Sequence, residues 1–468
     1  MTQPTISSQR HAVVLAAGKS TRFKSEKPKL VHPLCGKPMI CHILDKIALL
    51  DVANTIVVLG HESESVREAL SGYPVQYVIQ EEQLGTGHAT MCAVPILQNL
   101  SGSVLVVYGD TPLISVETLK RLFTCREEVD ADEVILTVET PEPHGYGRII
   151  RDPDNRPLRI VEEKDTSPEQ KAIREVNAGF VCFKVSSLLR YLPMLSSQNA
   201  AGEYYLTDML ALLREHGGKV VTVPASSVEE TTGINSREEL ARAESQLRLE
   251  IAVKWMREGV TILNPATVYL DPDVVVGPDT RIYPGVIIEG QTVIGPRCTI
   301  YSGCHLVDAV LEEDVVVDQC SVIRRSRVGR GTTVGPFAHL REHCQVAENV
   351  RIGNFVEVKK SVIGAGTKAA HHAYLGDAEI GREVNIGAGT ITCNYDGVHK
   401  NKTTIEDQVF VGSDSQLIAP VTIHRGAYVA AGSSITDDVP PGALAIARSR
   451  QINKEGWAAA KTKTKEKE

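Results

Sequence analysis

Residues 276–306 read VGPDTRIYPGVIIEGQTVIGPRCTIYSGCHL, with an aliphatic side chain at every sixth position. Glycine often follows that aliphatic residue directly, as in Val276-Gly277 and Ile294-Gly295. Such a repeat predicts a parallel β-helix, whose coils stack and bury the repeated aliphatic residues. An antiparallel sheet would instead show a period of two. Three runs carry the spacing: Val276, Ile282, Ile288, Ile294, Ile300, Leu306; Val310, Val316, Val322, Val328, Val334, Leu340, Val346, Ile352, Val358; and Ile405, Val411, Leu417, Ile423, Val429, Ile435.

The six-residue repeat is interrupted between Lys368 and Lys402, where His, Tyr, Asn and Lys occur. We expect this segment to leave the β-helix as a loop, and loops on a rigid scaffold often build functional sites. Arg341 and Lys359 each follow an inward position and should therefore point outward. A cation on an outer face is usually only solvated, so neither residue alone predicts a site.

The N-terminal half alternates short aliphatic runs with helix-like segments, which predicts a parallel sheet covered on both faces. Ligands of such sheets bind at the carboxyl ends of the strands. The predicted strands are Val13–Ala17, Thr55–Leu59, Val104–Tyr108 and Val134–Val138, and the helical segments include Met39–Leu50 and Ser63–Leu70. From Ser236 to Gly259 the pattern is helical, which predicts a linker helix that ends at the glycine.

Composition excludes several classes of protein. The net charge of −8 argues against attraction of the whole chain to nucleic acid or to an anionic membrane. The 10 cysteines form no C-x-x-C pair or zinc spacing, and no stretch has the length and apolarity of a signal peptide or a membrane span. We therefore expect a cytoplasmic protein with reduced thiols, no nucleic-acid partner and no membrane span. The basic tail after Arg448 is expected to be a solvated end.

Three loops follow predicted strands and carry candidate phosphate, base and metal groups. The turn in Leu15–Arg22 contains Gly18 and suits phosphate, as does Lys29 downstream. The glycines of residues 84–87 suit the approach of a flat base. Asp110 follows Tyr108-Gly109 and suits either Mg²⁺ or the N-cap of the next helix, and both interpretations stay open.

These motifs together resemble those of the bifunctional UDP-N-acetylglucosamine pyrophosphorylase/glucosamine-1-phosphate acetyltransferase family, the GlmU type. The resemblance spans nearly the whole chain, with one departure at Ser20, where such families usually have a second glycine. The motifs are Leu15–Arg22 with Pro28-Lys29, Gln80 with Gly85-Thr86-Gly87, Tyr108-Gly109-Asp110, Gly145-Tyr146-Gly147-Arg148, Val161–Asp165, Asn177, Gly233-Ile234-Asn235, His371–Gly376 and Asn385–Gly389.

The resemblance implies a Rossmann-like nucleotidyltransferase domain over 1–235, a linker helix over 236–260, a left-handed parallel β-helix of hexapeptide repeats over 261–448 that acts as an acetyltransferase, and a basic tail over 449–468. It implies acetylation of glucosamine 1-phosphate by acetyl-CoA, followed by Mg²⁺-dependent transfer of uridylyl from UTP to N-acetylglucosamine 1-phosphate. It further implies that the product feeds peptidoglycan and lipopolysaccharide precursors. It also implies a homotrimer with acetyl-transfer sites between subunits.

The resemblance assigns the residues of the uridylyl transfer. Asp110 and Asn235 would bind Mg²⁺, and Arg22 and Lys29 would steady the triphosphate. The residues implied to bind UTP or the UDP-sugar are Leu15, Ala16, Ala17, Gly18, Lys29, Gln80, Gly85, Thr86, Tyr108, Gly109, Asp110, Gly147, Glu162, Asn177 and Asn235.

It also assigns the residues of the acetyl transfer. His371 would be the general base, whereas His372 should face the other way. Arg341, Lys359, Tyr374, Asn385 and Lys400 would bind the acceptor sugar phosphate, and Ala388, Asn394, Tyr395, Ser413, Ala431 and Arg448 would bind acetyl-CoA. A zinc site at His339 and His343 is a weaker alternative, because the sequence suggests no further ligands.

Two other functions remain as alternatives. One is a monofunctional sugar-nucleotide pyrophosphorylase with a regulatory β-helix, which would lack the His371–Tyr374 and Asn385–Gly389 stretches. The other is a non-enzymatic exchange or assembly subunit, which should have lost Lys29, Asp110 or Asn235. The chain retains all of these residues.

Overall fold

A computed structural model describes residues 9–18, 21–60, 63–459 and 461. The chain divides into two compact units, Met1–Leu247 and Arg248–Glu468. Lys19 and Ser20 of the phosphate turn lie outside the described residues, as do residues 460 and 462–468 of the basic tail. None of the helices in the described part of the chain has the length and apolarity needed to cross a bilayer.

The first unit is an α/β domain of Rossmann-like architecture. Its strands are β1 Arg10–Ala16, β2 Pro33–Leu34, β3 Lys37–Pro38, β4 Asn54–Leu59, β5 Gln76–Ile79, β6 Ser103–Tyr108, β7 Glu133–Glu139, β8 Arg148–Arg151, β9 Pro157–Val161, β10 Glu175–Lys184 and β11 Val220–Pro224. Its helices are α1 Met39–Ala48, α2 Glu64–Ala69, α3 Thr86–Met91, α4 Val94–Leu97, α5 Val116–Glu128, α6 Val185–Tyr191 and α7 Met209–Glu215. The next helix, α8 Arg237–Arg257, is the linker helix, and the boundary between the two units falls within it.

The main sheet has the order β11-β7-β10-β6-β1-β4-β5. Strand β1 is parallel to both β4 and β6, as predicted. The prediction of a wholly parallel sheet is wrong at one strand, because β10 runs antiparallel to β6 and β7. The chain reaches β10 through the β8–β9 hairpin and not through a crossover helix, and only parallel neighbours require such a crossover.

The four predicted strands are buried in the centre of this unit. Val13, Ile56 and Ile135 are fully inaccessible to solvent, and Val106 is nearly so. Strands covered on both faces need such continuous aliphatic runs. The sheet therefore provides a rigid edge, at the carboxyl ends of β1 and β6, from which loop residues project.

The second unit is a left-handed parallel β-helix of hexapeptide repeats. Its strands are β12 Thr261–Ile262, β13 Tyr269–Leu270, β14 Val275–Val276, β15 Arg281–Ile282, β16 Ile287–Glu289, β17 Val293–Ile294, β18 Thr299–Ile300, β19 His305–Val307, β20 Val310–Leu311, β21 Val316–Val317, β22 Val322–Arg324, β23 Arg327–Val328, β24 Thr333–Val334, β25 His339–Leu340, β26 Gln345–Val346, β27 Arg351–Lys359, β28 Val362–Ile363, β29 Lys368–Gly376, β30 Ala378–Ile380, β31 Asn385–Ile386, β32 Ile391–Cys393, β33 Thr403–Ile405, β34 Phe410–Val411, β35 Gln416–Ile418, β36 Val421–Ile423, β37 Tyr428–Val429, β38 Ser434–Ile435 and β39 Leu444–Ala445.

The strands form three parallel faces that repeat once per coil. One face runs through β12, β15 and β18, the next through β13, β16 and β19, and the third through β14, β17 and β20. Glycine follows the inward aliphatic residue because the next coil is close. A Cβ on Gly277 would lie 2.5 Å from the backbone nitrogen of Pro296.

The inward positions of the first and third aliphatic runs are confirmed, since Val276, Ile300, Ile405 and Ile435 are all buried. The predicted register is wrong at the start of the second run. Leu311, Val317 and Ile323 are buried there, whereas Val310, Val316 and Val322 are partly exposed. Each predicted residue has an aliphatic neighbour, so hydrophobicity alone could not distinguish the two. The step from Leu306 to Leu311 is five residues and shifts the register.

The predicted interruption is shorter than the sequence suggested. Strand β29 pairs with β27 along the stack, and Ala369, Leu375, Ile386 and Thr392 lie at buried inward positions. Ala369 and Thr392 are not large aliphatic residues, so the sequence pattern did not reveal the repeat at these two positions. Of residues 368–402, the segment 394–402 is the part that leaves the coil. An antiparallel bridge between Tyr395 and Lys400 pairs its two arms.

The register of the second run can be tested with two adjacent valines. Val317 is completely buried and Val316 is partly exposed. We expect Val317→Ala to lower the free energy of unfolding by about 2 kcal/mol, because it leaves a cavity in the prism. Val316→Ala should cost less than about 1 kcal/mol. Urea unfolding followed by far-UV circular dichroism measures both, and a larger loss at Val316 would contradict the observed register.

Candidate active sites

The first candidate site begins at the turn after β1. Leu15 and Ala17 are buried, Ala16 is partly exposed, and Gly18 is exposed with open space where a Cβ would lie. The carbonyl of Ala17 accepts a 2.6 Å hydrogen bond from the side chain of Gln83. Open space beside a turn at a strand end is what a phosphate group needs for close approach. Arg22 follows in the 3₁₀ turn Thr21–Phe23 and is exposed.

Lys29 contacts two side-chain oxygens from distant parts of the chain. Its Nζ lies 2.6 Å from Oδ2 of Asp110 and 3.0 Å from Oδ1 of Asn235. Lys29 is 8% exposed, while Asp110 and Asn235 are partly exposed. Three residues predicted to act together are therefore in direct contact at one cation.

Local hydrogen bonds fix the positions of Asp110 and Asn235. The carbonyl of Asp110 accepts a 2.9 Å hydrogen bond from the backbone of Ile234, next to Asn235. The carboxylate of Glu239 accepts bonds of 2.5 and 2.9 Å from the backbone of Asn235 and Ser236, and the Ser236 hydroxyl accepts from the Glu239 backbone at 3.1 Å. This reciprocal pair is a capping box at the start of α8.

The alternative role of Asp110 as a helix N-cap is wrong. Helix α5 begins at Val116, and the hydroxyl of Ser115 accepts the capping hydrogen bond from Thr118. The Asp110 carboxylate is therefore available to a cation. Carboxylate and amide oxygens are the hard ligands that Mg²⁺ prefers, and the Lys29 ammonium marks a point where both converge. The pair thus fits a divalent metal.

A second cluster lies around Gln80, which is buried. Its Nε2 donates to the carbonyl of Gly85 at 3.1 Å and contacts Nδ1 of His88 at 3.0 Å. Gly85 has φ of 104°, and a Cβ there would lie 2.6 Å from the carbonyl oxygen of Tyr204. The glycine is therefore required by the protein's own packing as well as by any ligand. Thr86 accepts a 3.1 Å bond from the backbone of Leu206 through its hydroxyl.

A third cluster brings Gly147, Glu162 and Asn177 together. The backbone of Asn177 donates to the carbonyl of Gly147 at 2.8 Å, and a Cβ on Gly147 would lie 3.3 Å from the Glu162 carboxylate. Burial raises the pKa of Glu162, and a 2.8 Å hydrogen bond from Thr207 opposes this shift.

Tyr108 and Gly109 lie at the end of β6 beside these clusters. Burial raises the pKa of Tyr108, with the Glu162 and Asp110 carboxylates adding to the effect. Gly109 packs near the side chains of Leu30 and Ile40.

The second candidate site is centred on His371, on β29 of the β-helix. His371 is exposed, and its Nδ1 lies 2.7 Å from Oδ1 of Asn354. An amide oxygen only accepts, so Nδ1 donates and Nε2 keeps its lone pair. Neighbouring His372 is also exposed and has φ of 39°.

Lys359 follows the buried Val358, as the sequence analysis expected, but it is not a solvated surface cation: it is 8% exposed and its Nζ lies 3.3 Å from Oδ2 of Asp377. Asn394 also donates to Asp377, and the segment that carries Asn394 and Lys400 adjoins this cluster. Arg341 is exposed, as expected, and pairs with Glu357 at 2.9 Å.

Lys359 and Lys400 perturb each other. When one of the two is deprotonated, the Lys359 ammonium can donate to the amine of Lys400, which raises the pKa of Lys359 and lowers the pKa of Lys400, and Asp377 adds to the rise at Lys359. The backbone of Arg341 donates to Val358 on the next coil at 2.9 Å, which places Arg341 beside Lys359 in the stack. Two closely spaced ammonium groups and a guanidinium form a site suited to an anion.

The remaining predicted residues lie further along the β-helix. Tyr374 is beside Glu357 in register, and Asn385 is partly exposed on β31. Ala388, Ser413 and Ala431 lie on successive coils, linked by backbone bonds from Asp414 to Ala388 and from Gly432 to Ser413. Ser413, Ala431 and Arg448 are exposed. Asn394 and Tyr395 lie with the lysine cluster and not in this column.

Sequence reasoning missed Asn354, Asp377 and His88. The first two could have been found from the coil length, because Asn354 precedes His371 by 17 residues and Asp377 follows Lys359 by 18. Within the described residues, no three His, Cys, Asp or Glu side chains are grouped to hold a metal ion, so the zinc interpretation of His339 and His343 gains no support there.

Comparisons with known proteins cover both units. Residues 12–177 match the MobA-like NTP transferase domain, and residues 270–353 match the GMPPB C-terminal domain. The chain is 48% identical over 450 residues to the bifunctional protein GlmU of Shouchella clausii (strain KSM-K16), covering 96% of this chain and 99% of that protein. It is 50% identical over 455 residues to the bifunctional protein GlmU of Heliobacterium modesticaldum (strain ATCC 51547 / Ice1), covering 97% and 99%.

The fold and these matches define an NTP transferase unit followed by a hexapeptide-repeat β-helix. Similar coverage, 96% of this chain and 97% of the relative, is found with the bifunctional protein GlmU of Geobacillus sp. (strain WCH70), at 49% identity. The chain belongs to the GlmU family.

The lowered pKa of Lys400 generates a prediction about anion binding. Lys400 should lose its charge at a lower pH than an ordinary lysine, so binding of glucosamine 1-phosphate should weaken earlier as the pH rises. Lys400→Arg should remove this early loss, because a guanidinium stays charged throughout. Calorimetric titration of both proteins across the alkaline range measures the effect. Identical pH profiles would contradict a role for Lys400 in the anion site.

Proposed function

We propose that this chain acetylates glucosamine 1-phosphate with acetyl-CoA and then transfers uridylyl from UTP to N-acetylglucosamine 1-phosphate, releasing pyrophosphate. The observation that carries the proposal is the contact of Lys29 with both Asp110 and Asn235 in a chain whose β-helix also presents an exposed His371. The identity with bifunctional GlmU proteins covers both units and supports both activities. The product would supply the synthesis of peptidoglycan and lipopolysaccharide.

In the uridylyl transfer, the substrate phosphate is already a competent nucleophile. The protein therefore needs only to align it with the α-phosphorus of UTP and to balance charge on the leaving pyrophosphate. Arg22, Lys29 and the backbone of Leu15–Gly18 would bind the triphosphate. Asp110 and Asn235 would hold Mg²⁺, which when bound neutralises negative charge on the phosphates.

In this scheme Lys29 would contact Asp110 when the metal is absent and a phosphate group when the metal is bound. In the structure, its ammonium neutralises the Asp110 carboxylate. A divalent ion at these oxygens would replace that charge, and Lys29 would then be free to contact phosphate. Base and sugar recognition would fall to Gln80, Gly85 and Thr86, and to Tyr108, Gly109, Gly147, Glu162 and Asn177.

In the acetyl transfer, Nε2 of His371 would take a proton from the sugar amine as the nitrogen attacks the thioester. The N–C bond forms, the C–S bond breaks, and coenzyme A leaves as the thiol after protonation. A neutral imidazole is suited to this step, because it accepts a proton near physiological pH. The hydrogen bond to Asn354 supports the tautomer that leaves Nε2 free.

The anion site supports binding of the sugar phosphate beside this base. Arg341, Lys359 and Lys400 would contact the phosphate, with Tyr374 and Asn385 completing the acceptor pocket. Ala388, Ser413, Ala431 and Arg448 would line the coenzyme A groove. Asn394 and Tyr395 are also proposed for coenzyme A, although they lie with the lysine cluster in one chain.

The domain bounds 1–235, 236–260, 261–448 and 449–468, a cytoplasmic location and a homotrimer with acetyl-transfer sites between subunits are parts of the same proposal. An exposed aromatic pair supports association. Phe337 and Phe355 stack with ring centroids 5.3 Å apart, and each is about half exposed. Exposed stacked aromatic rings favour burial against another protein surface.

The two reactions should be separable by mutation. We expect Asp110→Ala to abolish pyrophosphate release from UTP and to leave acetylation unchanged, because only the first unit loses its metal ligand. His371→Ala should slow acetylation by about 10²–10⁴-fold and leave uridylyl transfer unchanged, which is the usual effect of losing a general base. Acetylation is assayed with glucosamine 1-phosphate and acetyl-CoA, and uridylyl transfer is assayed separately with N-acetylglucosamine 1-phosphate, UTP and Mg²⁺.

His372→Ala is the matched control, since this neighbouring histidine is equally exposed but turns at a corner of the coil. Normal acetylation by His371→Ala would refute the assignment of the base. Failure of the wild type to acetylate would favour a pyrophosphorylase with a regulatory β-helix. Absence of both products would favour a non-enzymatic subunit.

A further inference from the structure

The carboxamide of Gln80 is held in one orientation by two acceptors. Its nitrogen lies 3.1 Å from the carbonyl oxygen of Gly85 and 3.0 Å from Nδ1 of His88. Gln80 is 3% exposed, whereas His88 and Gly85 are partly exposed. The three residues form a compact unit at the start of α3.

The two contacts engage the nitrogen of the Gln80 amide and leave its oxygen for another partner. An amide nitrogen has two N–H donors and is not an acceptor. The carbonyl oxygen of Gly85 therefore accepts a hydrogen bond from one N–H, and Nδ1 of His88 accepts from the other. Nδ1 of His88 must then carry the lone pair and Nε2 the proton. Of the described residues, none donates a hydrogen bond to the remaining oxygen, Oε1 of Gln80.

We propose that His88 is a positioning residue that makes the uridylyl-transfer site select uracil over cytosine. The inference rests on the proposed function, in which Gln80 recognises the base. His88 does not touch the nucleotide in this scheme. It acts by occupying the second amide hydrogen of Gln80, so that only an acceptor is offered to the base.

Selection follows from the difference between the two pyrimidines. Uracil has an N–H at ring position 3 and donates to an acceptor, whereas cytosine has a lone pair there. Gln80 Oε1 satisfies the first and repels the second. Without His88, one amide hydrogen of Gln80 would be free to donate to the ring nitrogen of cytosine. The same oxygen of Gln80 thus binds uracil and disfavours cytosine.

Gly85 alone would not give this selectivity. Its carbonyl occupies a single hydrogen of the amide, and it is needed in any case to close the turn, where φ is 104°. His88 lies three residues further along on the helix, and its ring is 6.3 Å from that of Tyr204, centroid to centroid. The histidine is therefore held on a structured element, as a positioning residue should be.

The test compares UTP and CTP as substrates for the full-length enzyme. Ratios of kcat/KM for the two nucleotides are measured with N-acetylglucosamine 1-phosphate and Mg²⁺ for the wild type, His88→Leu, His88→Phe and His88→Asn. The leucine and phenylalanine variants have no acceptor at Nδ1. Asparagine places its Oδ1 at an equivalent distance along the side chain and should restore it. His216→Leu is the control, because this exposed histidine hydrogen-bonds to Leu212 in its own turn, and leucine can keep the apolar contact of its ring with Tyr191.

We expect His88→Leu and His88→Phe to lower the UTP-to-CTP ratio by roughly tenfold, the size of one hydrogen bond, mainly through KM. His88→Asn and His216→Leu should keep the wild-type ratio. Far-UV circular dichroism and thermal unfolding of the same proteins report on folding of the first unit. A purely structural role for His88 would change kcat for both nucleotides equally and leave the ratio unchanged, which would overturn the inference.

Gln80→Ala separates this inference from the function on which it rests. If Gln80→Ala lowers the ratio and both acceptor-free His88 variants do not, His88 has no role in selection although Gln80 recognises the base. If Gln80→Ala also leaves the ratio unchanged, the base-recognition part of the proposed function is wrong, and the role of His88 is wrong with it.

Discussion

The ammonium of Lys29 joins the carboxylate of Asp110 to the amide of Asn235, and the first unit depends on this contact for its site. Asp110 and Asn235 are separated from Lys29 by 81 and 206 positions, so only the completed fold can bring the three residues together. The central sheet places Asp110 at the end of β6, and the capping box of α8 fixes Asn235. Buried between two oxygens, the lysine supplies the positive charge that such a cluster needs.

The β-helix also brings together residues that are distant in sequence, but it does so by the regular stacking of its coils. Most coils take 17 or 18 residues, and the coil that contains residues 394–402 takes 25, so outside that coil a residue meets its neighbour one coil later at nearly constant spacing. His371 thereby meets Asn354, and Lys359 meets Asp377. The stacked backbone bonds make the scaffold rigid, and function requires only that suitable side chains occupy adjacent coils. Both units thus build charged sites from segments that are distant in sequence but fixed by strand pairing.

The sequence predicted the architecture well because hydrophobic spacing and turn residues carry that information directly. It failed where two interpretations share one pattern. Val316 and Val317 are equally apolar, so their register depended on a five-residue step that composition does not reveal. Ala369 and Thr392 are inward residues that do not look aliphatic. The site residues could be named by resemblance, but the burial of Lys359 and the contact between Gln80 and His88 depend on tertiary packing.

The most direct test of the central claim is anomalous diffraction from crystals of the enzyme soaked with Mn²⁺ and UTP. An Mn²⁺ peak is expected within direct coordination distance of an oxygen of both Asp110 and Asn235. Lys29 should also have left these oxygens for a phosphate. An Mn²⁺ peak at other ligands, with Lys29 still bridging Asp110 and Asn235, would contradict the account.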